Sequence, residues 1–135
     1  MLSSSISFPS LITALSLLLY LVVTINVGRA RAKYNVLPPA MTGDPNFERV
    51  LRVQENTLEQ LVFFLPPLWL FCFYVSPLWG AGIGAFWLIG RIAYAWGYYQ
   101  AAEKRKVGFG ISSLSSMVLL FGSLIGVILS IVQSF

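Results

Sequence analysis

The sequence predicts an all-α membrane protein built as one bundle of four transmembrane helices. Hydrophobic residues make up 57% of the chain and charged residues only 10%, whereas soluble domains are about 25% charged. The nine basic and five acidic residues all lie between Arg29 and Lys106, so both ends of the chain are uncharged. Four apolar segments are each long enough, at ~1.5 Å per residue, to cross a hydrocarbon core of ~30 Å. A single domain over residues 1–135 is expected.

The first Leu-rich segment predicts a helix over about residues 8–27. It lacks the basic start and the small-residue cleavage pattern of a signal peptide, so we interpret it as a retained transmembrane helix. Gly28 and several prolines predict a loop over residues 28–46.

The second segment predicts a helix over about 47–75, with capping chemistry at Asp44 and a kink rather than an end at Pro66-Pro67. The third helix is predicted over about 78–100, where its glycines favour close packing against neighbours. A second charged loop and a fourth helix, over about 109–132, complete the bundle.

With four spans, the two basic loops fall on one side of the membrane. The opposite side carries no Lys or Arg, so the positive-inside rule predicts cytoplasmic loops and two outside termini. The short tails and small loops suggest a bacterial inner membrane, with the endoplasmic reticulum as the alternative.

Several function classes are excluded or disfavoured by composition. The chain has no His, so histidine catalysis and the usual zinc sites are excluded, and no metal is expected. Cys72 is the one cysteine and is interpreted as a small hydrophobic residue in an apolar run. The net charge of +4 is not a nucleic-acid footprint, because the chain has little solvated surface.

The start of the second helix, from Phe47 to Glu59, is too polar for the apolar run that it opens. On a helical wheel one arc of roughly 140° collects its polar residues, namely Glu48, Arg49, Arg52, Glu55, Asn56, Glu59 and Gln60. A solvated helix end explains Glu48 and Glu55 but fits the deeper Asn56 and Glu59 less well. Ionisable groups at membrane depth are functional candidates.

This face offers recognition chemistry. Its arginines are bidentate donors for carboxylates, Glu59 accepts from an ammonium group, and Asn56 both donates and accepts. Amino acids and small peptides carry the complementary groups.

On the third helix, Arg91, Tyr94 and Tyr98 share one face. The arginine is expected to face the bundle, where a structural ion pair with a glutamate of the second helix is an equally good interpretation. The tyrosines could equally form part of an interfacial aromatic belt.

Together these segments resemble a known family. The motif E-R-V-x-R-x-Q-x-N-x-x-E from Glu48 to Glu59, Pro38-Pro39 before it, and R-x-x-Y-x-x-G-Y from Arg91 to Tyr98 are similar to the MAPEG family, the membrane-associated proteins in eicosanoid and glutathione metabolism. The branch of type 2 and type 3 microsomal glutathione transferases and leukotriene synthases is the most similar.

The resemblance implies a homotrimer that binds glutathione between protomers near the cytosolic face. It implies that glutathione, as co-substrate, is transferred to hydrophobic electrophiles that arrive through the membrane lipids. Peroxidase activity on lipid hydroperoxides often accompanies this transfer in the family. By motif position, the implied glutathione-binding residues are Arg31, Arg52, Gln54, Asn56, Glu59, Tyr94 and Tyr98. Of these, Gln54 matches a residue that reaches the site of the adjacent protomer.

Arg105 matches the arginine that stabilises the thiolate and is the implied catalytic residue. Its neighbours Lys104 and Lys106 could share that role. Gln60 departs from the family pattern, because many relatives have Tyr after the motif glutamate.

Two alternatives compete with a transferase. The first is a non-catalytic lipid-binding scaffold of the same family, against which the nearly complete set of glutathione residues argues. The second is a small multidrug exporter, which needs a membrane-embedded acid in the first helix. Residues 8–28 contain none.

Overall fold

The computed structural model describes residues 4–135, and within them every regular element is helical. Four long helices follow in the order α1 Ser7–Tyr34, α2 Pro45–Tyr74, α3 Pro77–Gln100 and α4 Lys106–Gln133. Short 3-10 turns precede α1, at Ser4–Ile6, and α4, at Ala102–Arg105. All four long helices are long and apolar enough to cross a membrane.

Helix α1 is longer than the sequence predicts, and Gly28 does not end it. The helix continues to Tyr34 because its last turns are packed: Val27 and Ala30 are buried against Phe47 and Leu51 of α2. The end comes at Asn35, which adopts a left-handed conformation (φ 57°, ψ 47°). The basic residues after Gly28 therefore project from helix rather than loop.

Helix α2 begins where its capping chemistry predicts. The Asp44 side chain accepts a hydrogen bond from the Asn46 amide at 2.7 Å, and Pro45 occupies the first helical turn. Pro66 and Pro67 lie inside the helix without ending it. The polar stretch and the apolar run are thus one continuous rod that carries charged residues into the bundle.

Helix α3 packs closely against α4 and the turn before it because glycines at the contacts leave room for backbone atoms of the neighbouring element. A Cβ on Gly108 would lie 2.2 Å from the Tyr94 amide nitrogen, and one on Gly97 would lie 2.2 Å from the Lys104 carbonyl oxygen. The segment 101–108, predicted to be a loop, instead forms a 3-10 turn at Ala102–Arg105 that leads directly into α4. These contacts fix the position of that turn beside the end of α3.

Replacing Gly108 with Ala should destabilise this packing, since the added methyl group meets backbone atoms that cannot move independently. We expect Gly108→Ala to lower the free energy of unfolding by about 1–3 kcal/mol. Gly110→Ala is the matched control, because a Cβ there meets nothing within 4 Å. Thermal unfolding in detergent, followed by circular dichroism, compares them. Equal melting temperatures would contradict the close contact.

The core lies between the four helices and is aromatic at its centre. Phe64 of α2 stacks on Trp87 of α3 with ring centroids 4.0 Å apart, and both are fully buried with Leu68 and Leu119. Cys72 is also buried. Many large apolar side chains instead face outward, as expected where lipid replaces water.

Candidate glutathione site

A cavity of about 390 Å³ opens near the charged end of the bundle, between α2, α3 and the start of α4. Its lining residues are Arg52, Asn56, Tyr94, Tyr98, Arg105, Lys106 and Phe109. Five of the predicted site residues are therefore brought together in one chain. The lining contains three cations and no carboxylate, so the cavity suits an anionic ligand.

Each helix contributes a defined pair of side chains. Arg52 and Asn56 lie one turn apart on α2, and Tyr94 and Tyr98 lie one turn apart on α3 with their rings edge-on at 5.5 Å. The close approach of the turn before α4 to α3 brings Arg105 over the Tyr98 ring, 5.5 Å from its centroid. Arg105 also donates to the Ala102 carbonyl oxygen and lies at the cavity edge.

Arg91 lies behind the cavity and is 1% exposed. Its Nη2 donates to Asn56 Oδ1 at 3.0 Å and to Thr57 Oγ1 at 2.9 Å. Its guanidinium carbon lies 3.9 Å from the centroid of the Tyr94 ring. The sequence analysis gave an ion pair between Arg91 and a glutamate of α2 as one interpretation, and this ion pair is not formed. Within residues 4–135, both hydrogen-bond partners of the Arg91 side chain are neutral.

This arrangement orients Asn56. An amide has one acceptor oxygen and one donor nitrogen, and Arg91 occupies the oxygen. The Nδ2 group is left to donate to a ligand. Arg91 therefore holds the Asn56 side chain in position, a contact that the sequence did not reveal because the two residues are 35 positions apart in the chain.

Glu59 does not line the cavity, but it forms an ion pair with Arg52 at 3.3 Å. The two side chains are 46% (Arg52) and 58% (Glu59) exposed. Exposed ion pairs contribute only about 0–1 kcal/mol, so an incoming carboxylate and ammonium group can replace this contact at little cost. Because Arg52 lines the cavity, the pair lies beside it.

The three consecutive basic residues at positions 104–106 do not all line the same cavity. Arg105 and Lys106 line the cavity, whereas Lys104 lines a different, mainly apolar cleft and its Nζ donates to Gln100 at 3.2 Å. The short turn before α4 makes this division, which sequence order alone does not reveal. Among the alternatives to Arg105, Lys106 is the one beside the cavity.

Arg31 and Gln54 do not line the cavity. Arg31 donates to the Ala40 carbonyl oxygen at 2.8 Å and lies over the Phe47 ring, 4.9 Å from its centroid. Gln54 donates to the Tyr20 hydroxyl at 2.8 Å. In the protomer these contacts hold the loop after α1 and join α2 to α1.

Two further residues near the motif positions differ in their relation to the cavity. Phe109 closes one wall, 6.2 Å from the Tyr94 ring, and no sequence signal distinguished it from other apolar residues of α4. Gln60 lies outside the cavity lining, and its buried Oε1 has no hydrogen-bond partner among residues 4–135.

Several known proteins are similar to this chain in sequence. A model of the MAPEG family matches residues 9–125. An uncharacterized protein of Synechocystis sp. is 64% identical over 128 residues, covering 95% of this chain and 93% of the relative. Human microsomal glutathione S-transferase 2 is 42% identical over 101 residues, covering 74% of this chain and 69% of the relative. Guinea pig (Cavia porcellus) leukotriene C4 synthase is 35% identical over 117 residues, covering 87% and 78%.

The family match covers most of the chain, and these relatives agree with the branch indicated by the two motifs. The four helices have the length and hydropathy of membrane spans. The protein is an integral membrane protein that belongs to the MAPEG family.

Proposed function

We propose that this protein is a membrane-bound glutathione transferase that conjugates the glutathione thiolate to hydrophobic electrophiles. One observation carries the proposal: Arg52, Asn56, Tyr94, Tyr98 and Arg105 line a single cavity. The names of two relatives, a glutathione S-transferase and a leukotriene C4 synthase, support the same class of reaction.

Glutathione has two carboxylates, an ammonium group and a thiol, and the site offers a partner for each. Arg52 is a bidentate donor for a carboxylate, and Glu59 beside it accepts from the ammonium group. The Asn56 Nδ2 donates to a carbonyl or carboxylate oxygen, because Arg91 occupies Oδ1. Tyr94 and Tyr98 form the inner wall.

The thiol is proposed to lie against Arg105. A free thiol of pKa ~8.5 is only slightly ionised at neutral pH, and the thiolate is the nucleophile. Arg105 and Lys106 both line the cavity, and α4 begins at Lys106. The positive end of the helix dipole therefore adds to two cations. The pKa of the bound thiol falls, and no protein base is needed because the proton leaves to solvent.

Arg31 and Gln54 are proposed to act across a subunit boundary in a homotrimer. Gln54 lies on the opposite side of α2 from Asn56, and Arg31 is at the end of α1. Neither lines the cavity of its own protomer. A neighbouring protomer packed beside α1 would receive both side chains after they leave the Tyr20 hydroxyl and the Ala40 carbonyl oxygen, which would complete its glutathione site.

The electrophile is proposed to enter from the bilayer, because many large apolar side chains are exposed on the outer surface of the helix bundle. Lipid hydroperoxides would reach the thiolate by the same route, which would add peroxidase activity. We propose that the charged end faces the cytoplasm with both termini outside, in a bacterial inner membrane or, alternatively, in the endoplasmic reticulum.

Purified protein should conjugate glutathione to chlorodinitrobenzene, and Arg52→Gln should raise the glutathione KM roughly tenfold or more because a charge-assisted contact is lost. Lys104→Gln removes an equal charge outside the cavity and should leave KM unchanged. Crosslinking of the same preparation should give a product of three chains.

Glutathione binding without turnover by the wild type would favour the non-catalytic scaffold of the same family. Dye efflux driven by a proton gradient in vesicles, without conjugation, would instead favour an exporter. A crosslinked product that stops at two chains would overturn the trimer.

A further inference from the structure

A second polar cleft lies at the charged end of the bundle, apart from the glutathione site. It has a volume of about 450 Å³. Its lining residues are Asn26, Arg29, Ala30, Lys33, Tyr34, Val50 and Tyr99. None of these residues lines the cavity that contains Arg105, so the proposed transferase chemistry leaves this cleft without a role.

The cleft is cationic and its cations lack acidic partners. Arg29 and Lys33 lie one turn apart near the end of α1. Within residues 4–135 the ion pair of the structure joins Arg52 to Glu59, so it involves neither of them. Lys33 lies 5.4 Å above the centroid of the Tyr34 ring, a contact that leaves its charge unneutralised. No carboxylate lines the cleft.

A hydrogen bond between Asn26 and Tyr99 orients the Tyr99 hydroxyl, which is a further possible donor in the cleft. Asn26 Nδ2 donates to the Tyr99 hydroxyl oxygen at 3.1 Å. A hydroxyl that accepts one hydrogen bond still has its own hydrogen to donate. Both side chains are half-buried. The cleft thus combines two flexible cations at its rim with an oriented hydroxyl donor below them.

The surface beyond the cleft is apolar. Ile25, Val22 and Leu18 lie 4, 7 and 11 residues before Arg29 on the same face of α1, and they are 52%, 46% and 53% exposed. A ligand with an anionic head for the cationic cleft and a hydrocarbon chain for the adjacent apolar face of α1 matches these two surfaces. A soluble anion would use only the head portion.

We propose that this cleft binds the phosphate of an anionic membrane lipid, with the lipid chain lying along α1. Arg29 and Lys33 contact the phosphate, and Tyr99 donates to one of its oxygens. The lipid seals the groove between the ends of α1 and α3, which belongs to the same end of the bundle as the glutathione site but is chemically separate from it.

The test measures lipid retention. The protein is reconstituted in phosphatidylcholine vesicles with or without phosphatidylglycerol, extracted, and its bound lipids counted by native mass spectrometry. Arg29→Gln should lower the apparent affinity for phosphatidylglycerol roughly fivefold, the effect of one charge near a surface. Tyr99→Phe, which keeps every charge, should lower it about threefold. Lys104→Gln, at the same end but outside the cleft, is the matched control.

Equal losses for Arg29→Gln and Lys104→Gln would overturn the proposal, since they would indicate only diffuse attraction. An unchanged Tyr99→Phe variant would also overturn it. A competition experiment with inorganic phosphate distinguishes the two sources of the anion. If inorganic phosphate displaces phosphatidylglycerol at equal concentration, the occupant is a soluble anion and the lipid assignment is wrong. Unchanged melting temperatures exclude unfolding of the variants as the cause.

Discussion

Arg105→Ala should abolish thiolate formation at neutral pH while leaving most of the glutathione affinity. A downward shift of about two units in the thiol pKa corresponds to ~2.7 kcal/mol, and one charge-assisted hydrogen bond supplies roughly 1.5–3 kcal/mol. Losing the guanidinium should therefore move the pKa of bound glutathione most of the way back to ~8.5, with Lys106 and the α4 dipole keeping the remainder of the shift. The thiolate fraction at pH 7, and with it the rate, should fall up to about 25-fold.

The sign of the pH dependence gives an independent check. A lowered thiol pKa means that the wild type reacts over a range that extends below the pKa of free glutathione. In Arg105→Ala, activity should recover as the pH rises through ~8.5. Thiolate ultraviolet absorbance on mixing with glutathione, recorded against pH, follows the ionisation directly.

The controls separate the neighbouring bases. Lys106 also lines the cavity, so Lys106→Ala should give a smaller shift in the same direction, whereas Lys104→Ala should give none because Lys104 faces another cleft. An unchanged thiolate signal in Arg105→Ala would remove Arg105 from the catalytic role. The same signal lost in Lys106→Ala alone would transfer the role to Lys106.

Arg91→Met should weaken glutathione binding more than tenfold although Arg91 does not line the cavity. The substitution keeps an unbranched but shorter side chain and removes the Nη2 donor that holds Asn56 Oδ1 and Thr57 Oγ1. The Asn56 amide can then turn its oxygen toward the ligand, and an unsatisfied buried acceptor costs about 1–3 kcal/mol. Tyr94 also loses the cation above its ring.

Binding and stability must be measured separately, because removing a buried charge can itself stabilise a fold. Titration calorimetry gives the Kd for glutathione, and thermal unfolding gives the Tm. Arg91→Lys retains one donor and should recover part of the affinity. A Kd that stays constant while the Tm changes would show that Arg91 is purely structural.

The sequence determined the elements whose signals are local. Long apolar runs with little charge predicted four helices, since no other element satisfies backbone groups in lipid without a closed barrel. The polar face of Phe47–Glu59 followed from helical periodicity alone. Arg52 and Asn56, one turn apart on that face, were therefore placed together from the sequence.

Local signals were misleading at the helix ends. Gly28 predicted a break, but Val27 and Ala30 gain enough burial against α2 to continue α1 to Tyr34. Likewise the charges of residues 103–106 predicted a loop, whereas the Gly97 and Gly108 contacts hold this segment as a turn and helix. Packing outweighed propensity at both places.

Only the tertiary structure decided which side chains meet. The pairing of Arg91 with Asn56 rather than a glutamate, the separation of Lys104 from Lys106, and the cleft of Arg29 and Tyr99 all join residues from different helices. A helical pattern fixes the face on which a residue lies, but the rotation and spacing of neighbouring helices determine its partner. In this bundle those quantities are set by glycine contacts and by the aromatic core between α2 and α3.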